Sequence, residues 1–119
     1  MFRYDEQLLD DFPTIRAGVI HATNLANAPS PPQLLSAYRA EQAAAAARLE
    51  ETPVSEMASI RAWRRAFSQM GVKPTQYRVA AEALLRRIAK QGDIPSINSL
   101  VDIGNLISIR YAMPVAVFD

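Results

Sequence analysis

The sequence predicts one α+β domain, mainly helices packed on a small mixed sheet. Three observations predict it. Four segments after residue 30 carry apolar residues at helical spacing, each bounded by Pro, Gly or Ser. Thr14 to Thr23, T-I-R-A-G-V-I-H-A-T, alternates in the two-residue period of a strand. Val115 to Phe118, apolar and following Pro114, reads as the start of another strand.

Composition fixes the class. The chain has 119 residues, half of them hydrophobic and 21% charged, which is globular and not disordered. That length holds one domain. No cysteine is present, so disulfides, thiolate catalysis and cysteine-ligated zinc are excluded. A single histidine, His21, forms no ligand set, so no metal or cofactor is expected. The start, M-F-R-Y-D-E-Q, lacks the apolar core of a signal peptide, and no segment reads as a membrane span. A cytoplasmic protein with no membrane partner is expected.

The elements follow in order. Residues 1–11 form a polar, acidic lead-in. In the predicted strand 14–23, Ile15, Ala17, Val19 and His21 point one way and Gly18 marks a bulge or a close approach. Asn24 to Pro32 is a loop. Ser30 is placed to cap a helix with Pro31 at its first position, and the helix runs from about Pro32 to Glu51 through the high-propensity run Ala43–Ala47. Ser55 caps a second helix, Glu56 to Met70, closed by Gly71. Its stripe is Met57, Ile60, Trp63 or Arg64, Phe67 and Met70. A third helix starts at Pro74–Thr75 and runs to Gln91, with Gly92 as its cap. Its core face is Val79, Ala80, Ala83, Leu84, Leu85 and Ile88. Arg78, Glu82 and Arg86 form an i, i+4, i+8 ladder expected on its exposed side.

The final helix, capped by Ser96 and ending near Tyr111, carries the most informative pattern. Ile97, Leu100, Val101, Gly104, Ile107 and Tyr111 form an apolar stripe expected to be buried. Asn98, Asp102 and Asn105, spaced i, i+4, i+7, share a second face bordered by Leu106 and Ile109. A covered carboxylate and two covered amides need partners, because each unsatisfied group costs about 1–3 kcal/mol. The trio is therefore a structural network or a binding site.

The net charge of +1 hides an asymmetry. Residues 61–90 hold eight basic residues (Arg61, Arg64, Arg65, Lys73, Arg78, Arg86, Arg87 and Lys90) against the single acid Glu82, a balance of +7. Residues 1–60 carry −4 and residues 91–119 carry −2. Such polarity fits an anionic partner, nucleic acid first, or two solvated helix faces.

From Trp63 onward the chain resembles a known family. The carrying words are W-R-R-A-F, G-V-K-P-T-Q-Y-R, A-L-L-R-R-I, I-P-S-I-N-S-L-V-D-I-G-N-L-I-S and M-P-V-A-V-F-D. They resemble the B three/four domain of the phenylalanyl-tRNA synthetase beta chain. They are closest to free-standing proteins made of that domain alone. The synthetase domain is an editing module that hydrolyses mischarged tRNA with water and no metal. The resemblance implies tRNA as partner, no DNA, and an aminoacyl-tRNA editing hydrolase in the full-length domain. It implies a substrate-pocket position for Asn105, with Asn98 at the start of the same helix, and a structural role for Asp102. No catalytic residue is assigned, and the basic residues of 61–90 would contact RNA phosphates.

The sequence departs from the family in two ways. Ala116 stands where the synthetase strand carries a histidine, and Pro95 stands near a pocket arginine of some synthetases. Both point away from tyrosine-specific editing. The family's domain also continues beyond the strand at Asp119, so residues 1–119 are expected to be its N-terminal half. Truncation, a homodimer or a second half on another chain would each account for that. The alternative function is a non-catalytic module that binds tRNA or an amino-acid-like ligand, inactive as this fragment.

Overall fold

The computed structural model describes residues 2–118. Five α-helices follow one another: α1 Glu6–Asp11, α2 Pro32–Glu51, α3 Ala58–Gln69, α4 Ala80–Gln91 and α5 Ser99–Tyr111. A single 3-10 turn, Val54–Glu56, lies between α2 and α3.

No strand occurs among the described residues, so the predicted helices-on-sheet α+β architecture is corrected to an all-helical one. The reason is that alternation supplies two faces, whereas a strand exists only when its backbone groups close a ladder with a neighbour. Residues 14–23 cross the surface, exposed except for half-buried Ile15, with no backbone ladder. Ile20 is 94% exposed. Residues 114–118 are also without ladder bonds, although Val115 and Val117 lie against Gly104 of α5. The expected continuation at Asp119 falls outside the described residues.

α2 is the central element. Pro32 opens it, the alanine run sustains it, and it stops before Pro53. Its N-cap is Pro31 and makes no side-chain bond, so Ser30 does not cap it as expected. One face, Tyr38, Gln42 and Ala45, is buried. It packs on α5 and α4, which also meet each other. Ile60, Ala81, Leu85, Ile88, Leu106 and Ile109 complete the core. Each fully buried Leu or Ile contributes about 1.5–3 kcal/mol.

Polar ties fix the elements around α2. The Gln42 amide donates to the Ile94 carbonyl at 3.1 Å and accepts from the Ile94 N–H at 2.9 Å. Ile94, the buried residue of the otherwise exposed turn after α4, thereby obtains the two backbone partners that no secondary structure gives it. α3 is anchored by Ile60, fully buried, and by Ser59 Oγ donating to the Ala112 carbonyl that follows α5.

The glycine stops of α3 and α4 are as expected. Gly71 and Gly92 take φ of +80° and +86°, a left-handed conformation with no Cβ penalty. The starts differ. α3 begins at Ala58 after the 3-10 turn, and Ser55 is not its cap. α4 begins at Ala80, because Lys73 accepts from Gln76 and Tyr77 in a turn that consumes the Pro74–Thr75 start. Ala80 and Ala83 are exposed, and Ala81 and Glu82 are buried instead.

α5 keeps only the middle of its expected stripe covered: Gly104 is buried, Leu100, Val101 and Ile107 are half-buried, and the two ends are exposed. Asp102, Gly104, Leu106, Ser108 and Ile109 are buried. Ile97 and Tyr111 of the expected stripe are 64% and 60% exposed. The polar face is the inner one because the segment before α2 and the turn before α5 bring donors to it.

Candidate functional site

Asp102 lies under the N-terminal end of α5 and is fully buried. Its Oδ2 accepts from Ser30 Oγ and Ser96 Oγ, both at 2.5 Å, and its Oδ1 accepts from the Ile97 N–H at 2.9 Å. Burial alone would raise its pKa. The Ile97 N–H and the two serine hydroxyls outweigh burial and hold the carboxyl below the usual carboxylate range. The group joins three segments and has no free oxygen to offer a substrate. Ser96 therefore serves the carboxylate rather than the cap.

Asn98 is the N-cap of α5. Its Oδ1 accepts from the Val101 N–H at 3.0 Å, satisfying one of the first-turn donors. The neighbouring loop adds to this junction: Ser99 N–H and Oγ both donate to the Ala28 carbonyl, and Leu100 N–H donates to Asn27 Oδ1. Asn98 is committed to the backbone, whereas Asn105 is half-buried.

The structure adds Tyr38, which the sequence did not single out. It is 1% exposed on α2, and its hydroxyl has no hydrogen-bond partner. Burial pushes the phenol above its ordinary pKa, the neighbouring Asn105 amide opposes the rise, and the Asp102 charge adds to it. Asn105 is thus the side chain beside the hydroxyl. The period-four stripe Tyr38–Gln42 was visible in the sequence, but nothing there paired it with Asn105.

The basic segment divides into two groups. Glu82 is 1% exposed, not on the exposed side as its ladder implied. It is met by Arg86 Nε at 2.7 Å, Arg64 Nε at 3.2 Å and Arg78 Nε at 3.4 Å. Burial would raise the Glu82 pKa, and the bonds and charges of Arg86 and Arg64 more than reverse it, leaving the carboxyl below its ordinary value. The spacing Val79, Glu82, Leu85 could have shown that Glu82 faces inward. The second group, Arg61, Arg65, Lys73, Arg87 and Lys90, is exposed and makes no ion pair among the described residues. Arg87 donates from Nε to the Asp93 carbonyl.

Two open clefts stand out, and neither is lined by Asn98, Asp102 or Asn105. One, of about 580 Å³, runs between the end of α2, the 3-10 turn and α4. Arg78, Arg86 and Lys90 face Leu49, Pro53 and Val54 across it. The other, of about 1160 Å³, lies along the N-terminal segment from Phe2 to Ala17. Among the described residues no cluster of His, Asp and Glu is arranged to hold a metal, and no helix is long and apolar enough to cross a membrane.

Residues 62–119 match the family model of the B3/4 domain. The match begins inside α3 and continues through α4 and α5, leaving α2 outside it. No curated protein and no solved structure matches the chain.

Proposed function

We propose that this chain, whose residues 62–119 match the B3/4 domain model, is a tRNA-binding domain similar to that of the phenylalanyl-tRNA synthetase beta chain, with its α3–α4 basic segment on the RNA backbone. The observation that carries the reading is the fate of the charge on folding. The one acid of residues 61–90 is buried under three arginines, and five further cations remain exposed and unpaired among the described residues. The +7 balance of the segment therefore survives at the surface. A field of that sign attracts a polyanion and contacts phosphates without reading bases. The family supplies the identity of the polyanion.

Binding is measured with unacylated tRNA by electrophoretic shift. Arg61→Glu with Arg65→Glu, two exposed positions one turn apart on α3, lowers the affinity at least tenfold on this reading, as loss of two phosphate contacts implies. Unchanged affinity would remove the reading.

A second reading, aminoacyl-tRNA editing, is favoured by one observation. The Asn105 amide is half-buried beside the Tyr38 hydroxyl, and an amide offers both donor and acceptor to a ligand. Asn105 then holds the amino-acid ester or the attacking water, with Asn98 ordering the helix start beneath it. Deacylation of a panel of mischarged tRNAs separates the two readings. Hydrolysis that disappears in Asn105→Ala supports editing, and none above background leaves the binding module.

A further inference from the structure

Glu82 holds all three of its arginines by the same edge. Arg64 and Arg86 donate to it through Nε, Arg78 is ion-paired through Nε at 3.4 Å without a hydrogen bond, and none of their Nη atoms has a hydrogen-bond partner among the described residues. A guanidinium anchored at Nε keeps its terminal donors available as a pre-oriented fork, the geometry that binds phosphate oxygens in pairs. The two arginines on Oε2, Arg78 and Arg86, line the cleft of about 580 Å³ together with Lys90, one helical turn beyond Arg86. The opposite wall, Leu49, Pro53 and Val54, is apolar. The cleft is open to solvent.

We infer that this cleft is a receptor for a single phosphate ester, with Arg78, Arg86 and Lys90 as the binding groups and Glu82 as the residue that positions them. The inference deepens the tRNA-binding reading, and rests on it for the identity of the polymer. Three guanidinium charges against one buried carboxylate leave an excess of +2, to which Lys90 adds, so a phosphate is bound by attraction as well as by shape. The apolar wall suits the sugar or base attached to that phosphate.

The test is a titration of the whole chain with inorganic phosphate, against chloride at equal ionic strength, followed through the Nε–Hε resonances of the arginines. Saturable shifts are expected at Arg78 and Arg86, with Arg61 and Arg65 unmoved. Arg78→Lys keeps the charge and removes the fork. It is expected to weaken phosphate about tenfold, the loss of one charge-assisted hydrogen bond. Glu82→Gln is expected to weaken it as well, although it makes the cleft more positive. Displacement of phosphate by an oligoribonucleotide with a 5′-phosphate, and not by its 5′-hydroxyl counterpart, identifies a terminal monoester. Equal displacement by both identifies the backbone. Equal shifts at every arginine, no shift, or undiminished phosphate affinity in Arg78→Lys overturns the proposal. The phosphate titration contains no tRNA, so its failure and the failure of tRNA binding are separate results.

Discussion

Ser30 and Asp102, 72 positions apart, meet at 2.5 Å, with the serine hydroxyl donating to the α5 carboxylate. The bond ties the segment before α2 to the start of α5. Ser96 and the Ile97 N–H close the remaining contacts of the same carboxylate. Leu106 and Ile109 supply the apolar part of the same buried face, and the carboxylate fixes its N-terminal end.

Asp102→Asn replaces a carboxylate that accepts three bonds with an amide that has one acceptor oxygen. At least one buried donor then faces an N–H₂ group. A loss of about 2–4 kcal/mol is expected, from broken buried bonds to a charged acceptor. Urea denaturation at neutral pH measures it. A loss below about 0.5 kcal/mol, the range of ordinary surface changes, would contradict the assigned geometry.

Acid exposes the same group differently. Asp102 and Glu82 both have folded-state pKa values below those of free carboxyls. Above the unfolded value, near pH 4, both are ionised in either state and their stabilisation is fully present. As pH falls through that value the unfolded chain takes up protons first, so stability declines until the folded pKa is passed. The wild-type curve should therefore fall below about pH 4–5, and Asp102→Asn should flatten that fall. An identical slope in the variant would show that Asp102 is not depressed.

Gln42→Leu keeps the volume at a buried position and removes both bonds to Ile94. The Ile94 N–H and carbonyl then lose their partners at a buried residue. A loss of about 2–4 kcal/mol is expected. Hydrogen exchange at the Ile94 amide should accelerate with it. Unchanged exchange would mean that the amide is protected by something else.

Tyr38→Phe runs the other way. Its hydroxyl is buried without a partner, so removal leaves nothing unsatisfied. Thermal unfolding should be unchanged or slightly higher, by up to about 1 kcal/mol. A marked loss would mean that the hydroxyl has a bond, with Asn105 the nearest candidate.

These residues also show what the sequence could and could not reveal. The limits of α2 were legible because Pro32 and Pro53 act locally, and the stops at Gly71 and Gly92 because only glycine takes those φ values freely. The strands were misread because T-I-R-A-G-V-I-H-A-T contains the alternation and cannot contain its own ladder partner. On α5 the covered carboxylate Asp102 and its borders Leu106 and Ile109 were legible, but the stripe was carried too far, to exposed Ile97 and Tyr111, and the partner of Asp102, Ser30, lies on a distant segment. Glu82 failed in the same direction. Its ladder with Arg78 and Arg86 was visible, and the third arginine that accompanies its burial, Arg64, comes from another helix. The basic segment itself was legible in full from charge counting, since charge needs no tertiary information to be counted.

The central claim, that this segment binds an RNA backbone, is tested most directly by the salt dependence of tRNA affinity. The logarithm of the association constant is measured against the logarithm of salt concentration from about 50 to 200 mM. Five exposed cations without ion partners among the described residues, most of them engaged with phosphates, predict a linear fall with a slope of about −3 to −4. Charge reversal at Arg61 and Arg65 should then make the slope shallower. No measurable binding at the lowest salt, or binding that does not change with salt, would contradict the claim.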